Sequence, residues 1–471
     1  MGKRGLALGA LALWLGAGAM ALGEEAPSAP AFRDAYVHDP SILRAGDGTY
    51  YIFGSHMAAA KSGDLMNWEM ISTDARQGCT LVNNVQEEMG EALSWARTDT
   101  FWAPDVQRLA DGRYYLYYCA CEGASPLSAL GLAVSDAPEG PYRNLGILLK
   151  SGMEGASQDG TPYDAAIHPN CIDPHVFYDK NGQLWMVYGS YSGGIYILKM
   201  DGSTGRPLEG QGYGKKLLGR NHSRIEGPYI LYSPDTDYYY LFLSFGGLDA
   251  SGGYNIRVCR SREPDGPYLD AKGQDMTACG GAEGSFFDDK AIEGYGVKLL
   301  GSFRFMPLEG VRPLPEQAYK SPGHNSALYD PDARRYYLIF HTRFSALGDE
   351  FRVRVHEFWM NGEGWPVVAP LRYSGEAPAL PAELAGKYRI LLHGQDVNTF
   401  QHRSVPVTLN PDGTLSGEGS GAWSREGVVT LEGTSYEGRF AMGYDREQEA
   451  WVPTLTLLSP QGEALWGIGT R

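Results

Sequence analysis

The sequence predicts an all-β protein: a five-bladed β-propeller followed by a small β-barrel or sandwich domain. Three observations point there: a composition suited to strands and tight turns, five copies of one hairpin pattern, and an abrupt end to that pattern after Tyr373. The 471 residues include 62 Gly, 28 Pro, 30 Tyr, 16 Phe and 10 Trp, the residue types of strands and turns. With 43% hydrophobic and 20% charged residues, the balance is that of a globular protein, neither disordered nor polytopic. The formal charge of −16 lacks the basic footprint that phosphate backbones require, so nucleic acid is not an expected partner.

The first residues read as a secretory signal. Lys3 and Arg4 precede an apolar run from Gly5 to about Leu15, and Ala19-Met20-Ala21 supplies a small-x-small cleavage site. Residues 1–21 are therefore a signal peptide to be removed on export, residues 22–31 an N-terminal linker, and the mature protein is secreted to an extracellular or periplasmic space. A membrane anchor is not expected, because the apolar stretch before Glu24 is marginal for spanning a bilayer. The six cysteines Cys79, Cys119, Cys121, Cys171, Cys259 and Cys279 allow many pairings, and structural or free thiols are preferred, since Cys119-Ala-Cys121 lacks the spacer of redox or zinc motifs.

Five segments then align. They are His38-Asp-Pro-Ser-Ile-Leu43 through Gly48–Phe53, Trp102-Ala-Pro-Asp-Val106 through Gly112–Tyr118, and Ile172-Asp-Pro-His-Val-Phe177 through Gly182–Tyr188. The fourth is Glu226-Gly-Pro-Tyr-Ile-Leu231 through Asp237–Leu243, and the looser fifth is Pro322-Gly-His-Asn-Ser-Ala-Leu328 through Arg335–Phe340. Each copy is an apolar strand, a turn rich in Asp, Gly, Asn or Pro, and an aromatic strand, which is a hairpin signature. Further strands follow most hairpins, at Leu130–Ser135, Gly194–Leu198, Tyr254–Ser261 and Phe351–His356. Five small sheets that cannot bury both faces alone pack radially as a propeller over residues 32–373, with a β-sandwich as the alternative.

Residues 374–385, rich in Pro and Ala, read as a linker. Residues 386–471 form a second domain, with strands expected at Tyr388–Leu392, Val405–Leu409, Val428–Leu431, Tyr436–Met442 and Pro453–Leu458. It carries no evident catalytic motif; it either binds polysaccharide or caps the propeller.

The repeat register supplies the chemistry. If equivalent positions begin the inner strand of each blade, the residue before each repeated proline lies near the axis: Asp39, Ala103, Asp173 and Gly227, with Glu226 next to the last and His324 just after Pro322. The prolines are expected to bias Asp39 and Asp173 toward extended backbone. Three acids and an imidazole would then share one depression. Carboxylates in such a pocket can divide acid and base roles, as glycosidic bond hydrolysis requires. Taken singly, each Asp-Pro would merely turn a strand, and His324 alone would read as a core or substrate-facing histidine. His38, His168, His175 and His222 look too scattered for a cluster.

His38-Asp-Pro-Ser-Ile42, Phe101-Trp-Ala-Pro-Asp-Val106, Asn170-Cys-Ile-Asp-Pro174, Ile225-Glu-Gly-Pro-Tyr229 and Ser321-Pro-Gly-His-Asn-Ser326 resemble the blade motifs of family 43 glycoside hydrolases, most closely endo-1,5-α-L-arabinanases. The resemblance covers roughly residues 32–373, and the trailing domain is similar to the small barrel appended to one extracellular group. It implies an inverting hydrolase cutting α-1,5-linked arabinofuranose in arabinan or arabino-oligosaccharides, and the chain is expected to act as a monomer. Asp39 would be the general base, Glu226 the general acid, and Asp173 the carboxylate that raises the pKa of the acid and orients it. Base and acid would stand roughly 6.5–9.5 Å apart to admit a water. The resemblance gives His324 a bound metal, calcium, with water filling most of its shell. Trp102 is a candidate stacking platform, with Phe101 a possible neighbour, and Asn170 and Ser190 are candidate hydroxyl-binding residues. The stretch Lys150–Tyr163 is either a rim loop or a surface insertion. The alternatives are an exo-acting arabinofuranosidase or β-xylosidase on the same fold, and a non-catalytic sugar-binding propeller. A fructan-cleaving enzyme is disfavoured because the Asn-Asp-Pro-Asn-Gly opening is absent.

Overall fold

The computed structural model describes residues 29–471, so the expected signal segment lies outside the described residues. Four four-stranded antiparallel sheets and a fifth sheet of six strands, four of which form the blade proper, follow one another along the chain. Blade I comprises Ser41–Arg44, Tyr50–Gly54, Ala58–Ser62 and Glu69–Ser72. Blade II comprises Phe101–Arg108, Tyr114–Cys121, Ser128–Ser135 and Arg143–Ser151, and blade III comprises His175–Tyr178, Leu184–Tyr188, Ile195–Met200 and Lys215–Leu218. Blade IV is Ile225–Ser233, Tyr238–Phe245, Asn255–Ser261 and Val297–Leu300; blade V is Ala318–Asp330, Arg335–Arg343, Phe351–Met360 and Pro366–Val368. The first hairpin of blades I to III turns on a glycine in left-handed backbone, Gly48, Gly112 and Gly182, with φ between +83° and +89°. That conformation suits a residue without Cβ.

Alternation along each strand sends successive side chains to opposite neighbours. Phe53 of blade I meets Leu116 of blade II, whereas Ile42 and Ile52 of blade I face Ile339 and Val353 of blade V. Tyr117 and Leu132 pack on Met186 and Leu198, Ile197 on Leu241 and Leu243, and Phe242 on Leu338 and Phe358. Five apolar seams thus hold the ring, and helix Val85–Ala96 covers the first through Met89 and Leu93. The tyrosine pairs are shared between adjacent seams in the same way. Tyr115 and Tyr117 belong to one seam, Tyr114 and Tyr118 to the next.

The four strands named for blade V all come from the C-terminal part of the propeller and none from its N-terminus, so the ring closes by side chains and loops. Val353 N donates to Ala35 O at 3.1 Å, and Asp34 collects Arg354 and Arg372 at 3.1 Å and Arg352 at 3.4 Å. Burial alone would raise the Asp34 pKa, but Arg354 and Arg372 outweigh it and hold the carboxyl below its ordinary value.

The second domain is a closed barrel of eight strands: Gly386–Leu392, Val405–Leu409, Thr414–Gly417, Gly421–Trp423, Val428–Leu431, Thr434–Asp445, Ala450–Leu458 and Ala464–Gly469. Three of these, Thr414–Gly417, Gly421–Trp423 and Ala464–Gly469, escape the sequence reading because they are short or Gly-rich. An excursion between the first two barrel strands reaches back to the propeller, where His402–Arg403 pairs in parallel with Phe303–Arg304 at the inner edge of blade V. Residues 374–385 contain no strand, although Leu384 is buried in the barrel core. All six cysteines are free thiols, and no helix among the described residues is long and apolar enough to cross a membrane.

Replacing Asp34 by Ala strands the fully buried Arg354 and should cost about 3 kcal/mol of stability, read as a lower urea midpoint. Because the folded pKa of Asp34 is depressed, its contribution in the wild type is complete above the ordinary carboxylate range. It fades as pH falls through the lowered value. Equal midpoints for variant and wild type at neutral pH would show that the cluster is not what closes the ring.

Candidate active site

Strand register makes Asp39, Ala103, Asp173, Gly227 and His324 equivalent: each stands two residues before the point, Ser41, Asp105, His175, Tyr229 and Ser326, from which its inner strand pairs continuously outward. In blade V the equivalent of the proline is Asn325, not Pro322, so His324 stands in the same register as Asp39 rather than beside it. All five residues have left-handed backbone, with φ of 54°, 32°, 55°, 57° and 44°. This corrects the expectation of extended backbone at Asp39 and Asp173. The preference imposed by a following proline is a local one, and a network of hydrogen bonds overrides it.

That network runs between blades. The second strand of each blade offers one register-equivalent residue at its inner end: Ser55, Cys119, Gly189, Ser244 and His341. The N–H of Ala103 donates to Ser55 Oγ at 2.9 Å, that of His324 to Ser244 Oγ at 2.6 Å, and that of Asp39 to His341 Nδ1 at 3.1 Å. The Asp173 amide is directed at the Cys119 sulfur. Blade III has Gly189 at this position, where a Cβ would lie 2.5 Å from Gly194 O. Lacking a side chain there, it leaves the Gly227 N–H to Asp173 Oδ2 at 3.2 Å.

The three predicted acids and His324 line one cleft. Asp39 is buried, and burial would raise its pKa. His324, with Nδ1 3.2 Å from Asp39 Oδ1, outweighs that together with His38 and a hydrogen bond from Ser55 Oγ, and the carboxyl is held below its ordinary value. Glu226 is shifted the other way. Burial raises it, against hydrogen bonds donated by Ser190 Oγ and Tyr254 OH, each 2.6 Å from a carboxylate oxygen. Burial also pushes Asp173 up to about 8, with Glu226 and Asp39 adding repulsion against the pull of His324. For His324, burial opposes charge, yet the three carboxylates raise its pKa above the ordinary imidazole value. The carboxyl groups of Asp39 and Glu226 are therefore shifted in opposite directions within the same cleft, the division that general base and general acid need.

The other expected residues are distributed differently. Trp102 lines the cleft, its indole N–H donated to Cys121 O at 2.9 Å. Phe101 is fully buried against Tyr118 and is core, because its side chain points to the opposite face of the strand. Asn170 lines the cleft but accepts from Ser128 Oγ at 2.5 Å. Ser190 spends its hydroxyl proton on Glu226, so it orients that carboxyl first. The stretch 150–163 does not line the cleft; Gly123–Pro126, Tyr191, His222 and Phe286–Phe287 do. His38 belongs to the site after all: His38, His324 and His341 each place Nδ1 within 3.4 Å of an Asp39 carboxylate oxygen. Ser55, Tyr254 and His341 escape the motif reading, since they lie on second strands and loops. Counting out from the aligned inner strands would have found Ser55 and His341.

His38, Asp39 and His341 bring three donor atoms within 4.8 Å of one another. The His341 Nδ1 lone pair already takes the Asp39 N–H, so a cation there would displace a backbone hydrogen bond. His324 fits a cation better. Its neighbour Asn325 lines a narrow axial cavity with Asp39 and Asp173, and both polar atoms of its buried amide lack a hydrogen-bond partner. An amide oxygen, nearby carboxylates and room for water suit a hard, hydrated cation with an imidazole at its edge.

A propeller whose axial cleft holds unequal carboxyl groups is built to cleave glycosidic bonds. Residues 32–289 match the sequence profile of glycosyl hydrolases family 43, and residues 370–467 that of the C-terminal lipocalin-like domain found with it. The chain belongs to family 43 of the glycosyl hydrolases. It is 55% identical over 444 residues to extracellular endo-alpha-(1->5)-L-arabinanase 2 of Bacillus subtilis, covering 93% of this chain and 94% of that protein. It is 50% identical over 453 residues to the extracellular endo-alpha-(1->5)-L-arabinanase of Thermotoga petrophila, with the same coverage. The crystal structure of a family 43 glycoside hydrolase from Bacillus licheniformis superposes with a TM-score of 0.89 at 54% identity, covering 94% of this chain and all of that one.

Hydrogen bonds to a carboxylate favour its ionised form. Replacing Tyr254 by Phe removes one donor to Glu226, so the Glu226 pKa should rise further and the alkaline limb of kcat/KM should move to higher pH. A limb that stays put or moves down would remove Tyr254 from control of that proton.

Proposed function

We propose that this protein is an extracellular inverting hydrolase that cuts α-1,5-arabinofuranosidic bonds within the arabinan main chain. The observation that carries the reading is the unequal environment of Asp39 and Glu226 in one cleft. The identity to the Bacillus subtilis and Thermotoga petrophila enzymes, both named as endo-arabinanases, supports the substrate and the internal mode of cutting.

Glu226, its pKa raised by burial, gives its proton to the departing glycosidic oxygen. Asp39, kept ionised by His324, His38 and Ser55, takes a proton from a water attacking the opposite face of the furanose ring. The glycosidic C–O bond breaks as the water oxygen bonds to the anomeric carbon. Asp39 ends protonated and Glu226 ionised, and proton exchange with solvent resets both. Asp173 lies one blade before Glu226 and is anchored by the Gly227 N–H, so it is held against the backbone that carries the acid and orients it. Trp102 offers a flat apolar face to a sugar ring. A calcium ion at His324 and Asn325 would supply positive charge beside Asp39 and help keep it ionised.

Replacing Asp39 or Glu226 by its amide should lower the release of reducing ends from linear arabinan by about a thousandfold, and Asp173→Asn by about a hundredfold. Near wild-type turnover in any of the three would take that residue out of the mechanism. Proton NMR of the first product should show the inverted anomer; retention would overturn the assignment of a water nucleophile.

For the metal, calcium in excess over chelator should raise the wild-type melting temperature by a few degrees. His324→Ala should abolish that rise. A rise of equal size in the variant would place the cation elsewhere.

A further inference from the structure

Beyond the acids, the cleft wall carries a surface that bond cleavage itself does not use. Phe286 and Phe287, in the connection between the third and fourth strands of blade IV, are 64% and 44% exposed and line the same cleft as Asp39 and Glu226. Their ring centroids are 4.3 Å apart. Phe286 lies 4.6 Å from the His222 ring, and Phe287 meets Tyr191 edge to face at 5.4 Å. Two adjacent exposed phenylalanines are a costly surface for a protein to keep without use.

The ledge is held in place. Arg224 grips Asp289 with two hydrogen bonds, Nε to Oδ1 at 2.9 Å and Nη2 to Oδ2, and its guanidinium lies 5.8 Å from the Phe287 centroid. Asn221 Nδ2 donates to Gly281 O at 2.9 Å, and Gly281 N donates to Ser223 Oγ at 2.8 Å. Asn221, His222 and Phe287 all adopt left-handed backbone, with φ of 51°, 56° and 57°. For a phenylalanine that conformation is strained. Fixed aromatic faces of this kind bind sugar rings, whose C–H faces pack on them at little ordering cost. Trp102 of blade II lines the same cleft, so a sugar chain crossing the acids can meet both aromatic surfaces.

We propose that Phe286, Phe287 and His222 form a distal subsite that stacks a furanose ring of the substrate chain, and that the enzyme thereby prefers long chains over short ones. The proposal rests on the arabinan reading above. It assigns the ledge to chain-length selection and gives it no part in bond cleavage.

The test compares kcat/KM on linear α-1,5-arabino-oligosaccharides of increasing length, and on linear arabinan, for wild type, Phe286→Ala/Phe287→Ala and Phe286→Trp. The wild type should gain efficiency with length up to the unit that reaches the ledge. The double alanine variant should lose that gain, about tenfold on polymer and through KM, while matching wild type on the shortest cleaved oligosaccharide. Phe286→Trp should keep the gain. Parallel length profiles for wild type and the double variant would overturn the proposal. So would an equal loss on short and long substrates, which would mean the loop merely supports the acids. A wild type that cuts no arabinan at all would instead overturn the function on which the proposal stands.

Discussion

The interaction on which this site depends is a backbone amide handed from one blade to the preceding one. A residue in left-handed conformation turns its N–H sideways, away from its own sheet, and a buried amide of that kind must find an acceptor. Ser55, Ser244 and His341 accept it at three seams, and the Cys119 sulfur is the target at a fourth. The same turn aims the side chain of that residue at the axis. Seam geometry and active-site geometry are thus one constraint: the strain of about 1–3 kcal/mol per left-handed residue is offset by hydrogen bonds that also lock neighbouring blades together.

The exception at blade III explains why Asp173 sits where it does. With Gly189 at the accepting position, the Gly227 amide has no side chain from the second strand of blade III to bond, and Asp173 takes it. A carboxylate that accepts this bond lies against the backbone that carries Glu226. At the opposite seam the acceptor is an imidazole, and this has a different consequence. His341 must keep Nδ1 unprotonated to receive the Asp39 N–H, and burial, reinforced by the nearby positive charge of His324 and Arg343, pushes its pKa well below the ordinary value. Positive charge at Asp39 therefore comes from His324, which faces the cleft, while His341 holds the backbone. Similar side chains around one carboxylate divide electrostatic and structural work according to which lone pair is already in use.

Much of this is legible in the sequence, for a definite reason. Asp39, Ala103 and Asp173 each precede a proline and an apolar strand, so the repeat exposes their register; Glu226 is found by its neighbour Gly227. The backbone conformation is not legible, because the influence of a proline on its predecessor is a local preference and the inter-blade bonds form only once the ring closes. His341 and Ser55 are hidden for a related reason: each belongs functionally to the next blade, and a motif read along one strand does not show its partner across a seam. Phe101 and Trp102 show the limit of motif reading. Adjacent in sequence, they point to opposite faces of one strand, one into the core and one into the cleft. The strands missed in the barrel are short or interrupted by glycine, so the alternation that announces a buried face is too brief or too broken to read.

The barrel follows from the same packing logic and is not an independent attachment. Leu391, Val452, Trp466 and Ile468 share one apolar cluster with Phe303, Phe358 and Trp365 of the propeller. Trp466 is fully buried, with Phe303 at 5.2 Å and His393 at 4.3 Å. The excursion between the first two barrel strands also satisfies two buried cations of blade IV. Lys298 Nζ donates to Asp396 O at 2.8 Å, and Arg257 Nη2 donates to Gln395 O. Removing residues 386–471 would expose that cluster and take both Asp396 oxygens from Lys298 and the Gln395 carbonyl from Arg257, which is destabilising on both counts. Arg257 would keep its propeller partners Asn255, Glu293 and Tyr295. Blade IV supplies Glu226, Tyr254 and the aromatic ledge, so the barrel steadies the part of the propeller that carries the acid. A truncation therefore confounds any carbohydrate affinity of the barrel with damage to the active site, and only substitutions on its outer face can separate the two.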